Sequence, residues 1–374
     1  MKHTKRGCCW QMPSIQYPII YLLLMFLFGW QSQILAADII STVAGDGTDG
    51  YSGDGAAATK AQLDTPAAVT VTSTGNLYIV DTENHRIRQV DTSGNISTVA
   101  GDGNLGFAGD GGPATAAKLN YPLGMGIDSA GNLYIADTEN HRIRKIDSSG
   151  NISTVAGDGE RGYSGDGGAA VSAKLNNPMW VAIDSAGNLY IADTSNNVIR
   201  KLDIASGNIS TVAGDSSVGA AGDGGPATAA QLNHPTGLDV DSAGNLYIVD
   251  SANYRIRKVD TTGNITTIAG DGNSGFAGDG KIATAAQLNA PTQVMVDSTG
   301  QVYIADTSNH RIRKVSTDNI ITTMAGNGNG GYSGDGGDPT AAKLNSPKDI
   351  VVDNQGNFYI ADSDNHRIRK ISST

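Results

Sequence analysis

Short runs with alternating apolar and polar residues recur along this chain, each bounded by Gly, Pro, Asn or Asp. In one representative stretch the four runs are Leu123 to Ile127, Asn132 to Ala136, Arg142 to Ile146 and Ile152 to Ala156. Runs of this length with turn residues between them predict β-strands joined by tight turns. Each stretch of this kind is therefore predicted to form a four-stranded antiparallel meander.

The meander is repeated six times. A glycine begins the second predicted strand of every copy, and consecutive copies are 56 or 57 residues apart: Gly75, Gly131, Gly187, Gly244, Gly300 and Gly356. A single small sheet cannot bury both of its faces, whereas six sheets arranged radially cover one another. No segment between the strands has helical periodicity over ten or more residues, which disfavours an α/β solenoid. The sequence thus predicts an all-β, six-bladed β-propeller of four-stranded blades.

The repeat is offset relative to the chain. Ile39 to Ala44 has the pattern of a fourth strand, like Ile152 to Ala156, whereas Arg367 to Ile371 has the pattern of a third strand. The last blade lacks a fourth strand of its own. We therefore expect the N-terminal strand to pair in the last blade and close the ring.

Residues 1–37 lie outside the repeat. Lys2, Lys5 and Arg6 precede an apolar run from Pro18 to Trp30, and small residues follow up to Ala37. This order is typical of a secretory signal peptide. The alternative is an uncleaved membrane anchor, although the run is shorter than the roughly 20 residues that span a bilayer. We expect residues 38–374 to form one exported propeller domain, in the periplasm, at the cell surface or outside the cell.

Cysteine content and charge narrow the picture further. Cys8 and Cys9 both lie in the leader, so the propeller contains no disulfide and its stability must come from packing. The chain has 26 basic and 37 acidic residues, and three of the basic ones are in the leader. An acidic body repels phosphate backbones, so we expect no nucleic-acid partner. Membrane contact is expected only if the leader is retained.

The segments of the form Gly-Asn-Leu-Tyr-Ile-Ala-Asp-Thr-x-Asn-His-Arg-Ile-Arg resemble the NHL repeat. The joining stretch Gly-Tyr-Ser-Gly-Asp-Gly-Gly is similar to that of exported bacterial NHL proteins and of the NHL propeller of teneurins. The resemblance extends over residues 38–374. It implies a propeller that serves as a protein-binding or RNA-binding scaffold, as a sensor domain or, in a minority of members, as an enzyme such as the peptidyl amidoglycolate lyase. Streptogramin lyases and gluconolactonase-like propellers are related.

Several polar positions recur in every copy or nearly so. Asp residues end the second strand and Arg residues start the third: Asp81, Asp137, Asp193, Asp250, Asp306 and Asp362, with Arg86, Arg142, Arg255, Arg311 and Arg367. We expect these two sets to form charge-assisted hydrogen bonds across the hairpin. The residue before that Arg is His85, His141, His310 or His366, but Asn197 and Tyr254 in copies three and four. A position that accepts His, Asn and Tyr indicates hairpin packing rather than a zinc site.

The joining loops contain glycine clusters followed by an Ala-rich stretch that opens at a proline such as Pro113. We interpret that stretch as one or two helical turns capped by Asp or Gly. The recurring aromatics of these loops either pack on that helix or form a rim for ligand stacking: Tyr51, Phe107, Tyr163, Phe276 and Tyr332. No cofactor is predicted. Calcium bound by pairs such as Asp46 and Asp54, or zinc, remains an alternative, although these loops lack EF-hand spacing.

Positions that differ between copies are the candidates for recognition. Counted from the proline that opens each first strand, the third and fifth residues are uniformly apolar, whereas the second and fourth vary in size and polarity. By the period-two rule the variable pair shares one face and lines the axial channel or its mouth. We expect the joining loops and the Asp-Thr-x-Asn-His hairpins to lie at the same end of each blade and to form one loop-rich face. The candidate ligand-binding residues at this face are Trp180, Asp349, Lys348, Gln293, Asp239, His234 and Tyr254.

These features favour a non-catalytic binding module, expected to be a monomer, that binds a protein, a peptide or a cell-surface glycan through its loop-rich face. The sequence contains no G-x-S-x-G motif and no H-E-x-x-H motif. The alternative is a metal-dependent lyase or lactonase-type enzyme with its site at the central channel, using Asp239, Asp349 or His234. No catalytic residue is predicted for the binding module.

Overall fold

The computed structural model describes residues 38–372, together with Met1 and Gly7. The predicted leader and the choice between its cleavage and its retention lie outside the described residues. Within residues 38–372 the chain forms six antiparallel sheets. The first strands of successive sheets contact one another, and that of the sixth contacts that of the first, so the ring is closed. The six-bladed propeller predicted from the repeat is confirmed.

The first and second strands form the inner half of each blade. The first, innermost strands are Pro66–Val71, Pro122–Ile127, Pro178–Ile183, Pro235–Val240, Gln293–Val296 and Pro347–Val352. The second strands are Leu77–Asp81, Leu133–Asp137, Leu189–Asp193, Leu246–Asp250, Val302–Asp306 and Phe358–Asp362. Hydrogen bonds within the Asp-x-x-Gly turns, such as Gly131 N–H to the Asp128 carbonyl at 3.0 Å, connect the two.

The third and fourth strands form the outer half. The third strands are Arg86–Val90, Arg142–Ile146, Val198–Asp203, Arg255–Val259, Arg311–Val315 and Arg367–Ser372. The fourth strands of blades one to five are Ile96–Ala100, Ile152–Ala156, Asn208–Ala213, Ile265–Ala269 and Ile320–Ala325. In blade five the two-residue strand Lys281–Ile282 adds a fifth member outside Ile320–Ala325.

The N-terminal strand closes the ring. Ile39–Ala44 pairs antiparallel with the third strand of blade six, with Ile40 opposite Ile371 and Thr42 opposite Arg369. The Ile40 side chain is fully buried, so the closing strand contributes to the core as well as to the backbone ladder. The predicted pairing of the first strand with the last blade is confirmed.

The hydrophobic core lies between adjacent blades. One cluster joins Ile79 and Leu77 of blade one to Ala361 and Ile368 of blade six, and the other clusters combine neighbouring blades in the same way. Packing these apolar side chains between two blades removes them from water, which stabilises the fold by about 25 cal/mol per Å² of buried apolar area. The third residue after each of the prolines at the innermost strands belongs to this core in all six blades, as predicted: Val69, Met125, Val181, Leu238, Val294 and Ile350.

The joining loop before Pro347 has a turn at residues 339–341, and each of the other five joining loops contains one turn of 3₁₀ helix rather than an α-helix. These turns are Ala58–Lys60, Ala114–Ala116, Ala170–Ser172, Ala227–Ala229 and Ala283–Ala285. The predicted Asp or Gly cap is wrong: Pro113 itself is the N-cap, with no side-chain hydrogen bond. The turn is held instead by backbone bonds, such as Gly101 N–H to the Ala114 carbonyl at 3.0 Å.

Further 3₁₀ turns follow the second strands: Thr138–Asn140, Thr194–Asn196, Ser251–Asn253, Thr307–Asn309 and Ser363–Asn365. The same hairpin in blade one is a turn at residues 82–85. These hairpins and the joining loops meet at one end of each blade, as shown by the Asn84 side chain donating to the Gly50 carbonyl at 2.7 Å. We call this end of the propeller the loop-rich face.

Candidate functional site

A buried ionic network, here called the hairpin belt, repeats in every blade of the loop-rich face. Arg144 donates to Asp137 at 3.1 Å and to Asp110 at 2.7 Å, and its side chain is fully buried. The six belt arginines are Arg88, Arg144, Arg200, Arg257, Arg313 and Arg369. Each belt ties a second strand, a third strand and a joining loop together, because its two carboxylates come from different segments.

The belt corrects the predicted partner of the hairpin aspartates. Arg142, the first residue of the third strand, donates to the backbone carbonyls of Asn140 at 3.2 Å and Asp158 at 2.6 Å. The partner of Asp137 is Arg144, two residues later. Side chains two apart on a strand share a face, so both arginines point toward the loop, but Arg142 lies beyond the carboxylate and reaches only loop carbonyls.

The recurring loop aromatics stack on these arginines. The Phe107 ring lies 3.8 Å from the Arg142 guanidinium carbon and 4.7 Å from that of Arg144, and 41% of Phe107 remains exposed. Cation–π contact of this kind is worth about 0.5–1 kcal/mol at exposed sites. The expected packing on the loop helix is therefore replaced by stacking on arginine. Blade four has Ala220 in this position and lacks the stack.

The hairpin histidines link neighbouring blades. Burial lowers the pKa of His85 and of His141, so each imidazole is neutral, and its Nδ1 accepts a backbone N–H from the next blade. The donors are Tyr121 at 3.3 Å and Asn177 at 3.1 Å. Asn197 does the same in blade three through its side-chain oxygen, which accepts the His234 N–H at 3.0 Å. This shared role explains why the position accepts His and Asn.

The axis of the loop-rich face carries a pocket to which every blade contributes at least one residue. We call this the axial pocket; its volume is about 290 Å³, and it is lined by Ala67, Leu123, Met179, Thr236, Thr292 and Lys348, with Trp180. The first six residues directly follow the prolines of the innermost strands. The strand register shifts at this point, for example between Pro178 and Trp180, so simple alternation does not hold there.

The axial pocket is apolar on its surface although it contains two threonines. Thr236 donates its hydroxyl to the Thr292 carbonyl at 2.9 Å, and Thr292 donates to the Lys348 carbonyl at 2.7 Å. Both hydroxyls thus link one blade to the next and are occupied by backbone carbonyls. Three apolar residues from blades one to three form the opposite wall: Ala67, Leu123 and Met179.

Among residues 38–372, Lys348 is the only charged side chain that lines the axial pocket. Burial lowers the pKa of its ammonium, while the nearby Asp364 and Glu83 act in the opposite direction. Within the part of the chain that the structure describes, Lys348 makes no ion pair and its ammonium has no hydrogen-bond partner. A cation in such surroundings is available to an anionic group of a ligand.

The rim of the axial pocket differs from blade to blade. The exposed third residues of the hairpins are acidic in the adjacent blades six, one and two, and uncharged in blades three to five: Asp364, Glu83, Glu139, Ser195, Ala252 and Ser308. The negative potential of the rim is therefore concentrated on the side that contains Lys348. His234 is exposed on the opposite side.

A second cavity of about 170 Å³ lies below the axial pocket in the channel. Trp180 lines both spaces, and 8% of its surface is exposed. A Cβ on Gly124 would lie 2.7 Å from the Trp180 Cε3, and a Cβ on Gly237 would clash with the Gln293 amide. Gly124 and Gly237 therefore leave room for the large side chains of Trp180 and Gln293 in the following blades.

Two buried carboxylates connect innermost strands that do not pair directly. Asp349 accepts the N–H of Val69 at 2.8 Å, which joins blade six to blade one, and the N–H of Ile350 at 2.7 Å. Asp239 accepts the N–H of Val296 at 2.8 Å, which joins blade four to blade five. Burial raises the pKa of Asp349 to about 7 and that of Asp239 to about 6.

The structure places the seven predicted residues in three locations. Trp180 and Lys348 line the axial pocket, and Gln293 and Asp239 line the channel cavity below it. Asp349 is fully buried between blades. His234 and Tyr254 have positive φ in the loops of the loop-rich face and line neither space.

Five lining residues of the axial pocket were not predicted: Ala67, Leu123, Met179, Thr236 and Thr292. Their signal was present, because the residue after the proline varies as strongly between copies as the second and fourth do. Among residues 38–372 no group of three or more His, Cys, Asp and Glu side chains is arranged to hold a metal ion. Within the same residues no helix is long and apolar enough to cross a membrane.

Comparison with protein families supports the repeat assignment. The profile described as "Teneurin NHL domain" matches in five overlapping segments, residues 41–108, 103–163, 159–221, 214–276 and 269–332. The profile described as "NHL repeat" matches residues 344–371. Human NHL repeat-containing protein 2 is 31% identical over 69% of this chain, and human teneurin-4 is 31% identical over 62%. The chain spans 47% and 9% of those relatives.

Solved structures share the fold. A Bacteroides thetaiotaomicron protein of unknown function superposes with a TM-score of 0.67 at 20% identity, covering 90% of this chain and 76% of that one. An auxiliary nutrient binding protein from Bacteroides ovatus gives a TM-score of 0.66 at 18% identity, with the same coverage. Since the family profiles account for most of the propeller, the chain belongs to the NHL-repeat family, with repeats of the teneurin type.

Proposed function

We propose that this protein is an exported, non-catalytic binding module whose axial pocket receives an apolar side chain of a protein or peptide partner. The observation that carries the proposal is that all six blades contribute a residue to one pocket and that these residues differ, although the surrounding scaffold repeats. Selection for packing alone would favour the repetition found in the hairpin belt.

The chemistry of the pocket favours a peptide over a glycan. Sugar recognition needs several free hydrogen-bonding groups, but the hydroxyls of Thr236 and Thr292 are occupied by neighbouring blades. A volume of about 290 Å³ is at the small end of the range for ligand pockets and suits one apolar side chain. Single apolar anchors buried in a pocket dominate the affinity of many protein interfaces.

The enzyme alternative receives less support. Asp349 and Asp239 each accept two backbone N–H groups, which occupies the oxygens that a metal or a reacting proton would need. Trp180 lies between the channel cavity and the axial pocket. A metal-dependent lyase or lactonase site would require these carboxylates to exchange their present partners.

Export and a role at the cell surface are part of the proposal. The support is the signal-peptide pattern of residues 1–37, the absence of cysteine beyond it, and the likeness to teneurins and to proteins described as nutrient binding. The partner is therefore expected outside the cytoplasm.

Fluorescence of Trp180 provides a direct test. In the full chain carrying Trp10→Phe and Trp30→Phe, Trp180 is the only tryptophan, and it lines the pocket. Titration with pools of random hexapeptides should change its emission with saturable binding, whereas maltohexaose and chitohexaose should not. Leu123→Glu should abolish binding, because a carboxylate in an apolar wall repels an apolar anchor.

Leu105→Glu is the matched control, since Leu105 is 56% exposed on a joining loop of the same face. It should leave the binding of the same pools unchanged. Binding of the oligosaccharides without the peptides would replace the proposal with a glycan-binding function. Stoichiometric metal that is lost in Asp239→Ala would favour the enzyme alternative.

A further inference from the structure

Lys348 stands out among the six residues that follow the strand-opening prolines. The equivalent residues are Ala67, Leu123, Met179, Thr236 and Thr292, all of which present carbon atoms to the pocket. A lysine is costly in an apolar lining unless its charge has a partner. Its two acidic neighbours, Asp364 and Glu83, are exposed at the rim and form no ion pair with it among residues 38–372.

We propose that the axial pocket recognises the C-terminal residue of a peptide chain: the apolar side chain lies against Leu123, Met179 and Trp180, and the terminal carboxylate pairs with Lys348. This inference rests on the proposed peptide-binding function and specifies which part of the peptide enters. A C-terminal residue offers an apolar group and an anion on one carbon atom, and the pocket presents an apolar wall opposite one cation.

The small volume of the pocket favours a terminus over an internal segment. Trp180 lies at the border between the axial pocket and the channel cavity, because it lines both. An internal residue would have to enter and leave through the same opening of a 290 Å³ space. A chain end needs only one connection to solvent.

The acidic rim predicts which peptide residues are favoured upstream of the bound terminus. Asp364, Glu83 and Glu139 are exposed on adjacent blades around the side that contains Lys348. A peptide whose terminus is in the pocket must cross this rim, so basic residues a few positions before the terminus should be favoured. This preference should weaken as salt is added, because the rim charges are exposed to solvent.

The test compares two peptides that differ only at the terminus: acetyl-Ser-Gly-Lys-Gly-Leu as the free acid and as the carboxamide. Isothermal titration with the full chain should show the acid binding about 10-fold more tightly, because a charge-assisted hydrogen bond replaces a neutral one. In Lys348→Met the two peptides should bind equally, and the carboxamide should bind as it does to the unsubstituted chain.

Lys281→Met is the matched control, because Lys281 is exposed on the outer edge of blade five, and it should retain the 10-fold preference. Lys348→Arg should also retain it, since the charge is kept. Thermal melting of each variant establishes that it is folded. Equal binding of the acid and the carboxamide to the unsubstituted chain would overturn the inference while leaving peptide binding intact. Failure of both peptides to bind would overturn it as well.

Discussion

The hairpin belt and the axial pocket lie on the same face but differ in how they use the repeat. The belt has the same arginine and the same aspartate in all six blades, and every belt arginine is fully buried. The axial pocket takes the residue after each strand-opening proline, together with Trp180, and among these residues only threonine occurs twice. The belt thus holds the loops in place, whereas the residues on the axis form the surface of the pocket that the loops surround.

This difference separates stability from recognition within a single repeat. Six copies of one ion pair cannot single out a ligand, because a ligand on the axis would meet the same group six times. Residues that differ around one axis create an asymmetric surface, with Ala67, Leu123 and Met179 on one side and Lys348 on the other. Substitutions in the belt should therefore affect folding, and substitutions at the axial pocket should affect binding.

The largest expected effect is in the belt. Arg144→Met should lower the free energy of unfolding by about 3–5 kcal/mol, because it leaves the fully buried Asp137 without its cation. Arg142→Met should cost only about 1–2 kcal/mol, since it removes hydrogen bonds to two loop carbonyls. Urea denaturation measures both. Equal losses of unfolding free energy in the two variants would contradict the assignment of Arg144, rather than Arg142, as the partner of Asp137.

The buried carboxylate of Asp349 makes stability depend on pH. Its folded pKa of about 7 lies above its unfolded value of 3.8, so folding is favoured below pH 4 and this contribution is lost as pH rises toward 7. The total loss is expected to be a few kcal/mol. The measurement is the unfolding free energy from pH 4 to 8 for the unsubstituted chain relative to Asp349→Asn, which removes this titration. A difference that does not change with pH would contradict the assignment.

Crowding on the axis should have an intermediate effect. Gly124→Ala should cost about 1–3 kcal/mol, because the new methyl group would overlap Trp180 and the Met179 carbonyl. It should also alter the emission of Trp180. Gly112→Ala is the control, since a Cβ there would meet only the Gly109 carbonyl at 3.4 Å. Similar stabilities for the two variants would show that the large and small residues of the ring are not fitted to each other.

The smallest expected effect concerns the loop aromatic that blade four lacks. Ala220→Tyr should raise the free energy of unfolding by about 0.5–1 kcal/mol, because blade four lacks the aromatic that stacks on Arg142 and Arg144 in blade two. Phe107→Ala should produce the reverse change. Thermal melting with several scans would resolve both. A loss of stability in Ala220→Tyr would mean that the loop of blade four follows a different path.

The sequence predicted the features that depend on periodicity. The blade count, the closing strand at Ile39–Ala44 and the apolar third position follow from the repeat, and the structure has all three. It did not predict that Arg144 rather than Arg142 binds Asp137, because both residues face the same way and only distance along the hairpin decides between them.

The axial pocket was predicted only in part for a related reason. Trp180 and Lys348 were recognised as different from their counterparts in other copies. Their neighbours Leu123 and Met179 were not, because the period-two rule was applied only to the second and fourth residues after each proline. The register shift at the start of the innermost strands breaks that alternation and brings successive residues to the same mouth. A backbone irregularity of this kind cannot be predicted from the pattern of apolar and polar residues.

We assign stability to the hairpin belt and recognition to the axial pocket. The most direct test of this assignment is the position of a bound peptide. A crystal structure of the full chain with acetyl-Ser-Gly-Lys-Gly-Leu should show the leucine side chain between Leu123 and Met179, above Trp180, with its carboxylate at Lys348. A peptide lying instead along the outer strands, or stacked on the loop aromatics such as Phe107 and Tyr163, would contradict the assignment of recognition to the axis.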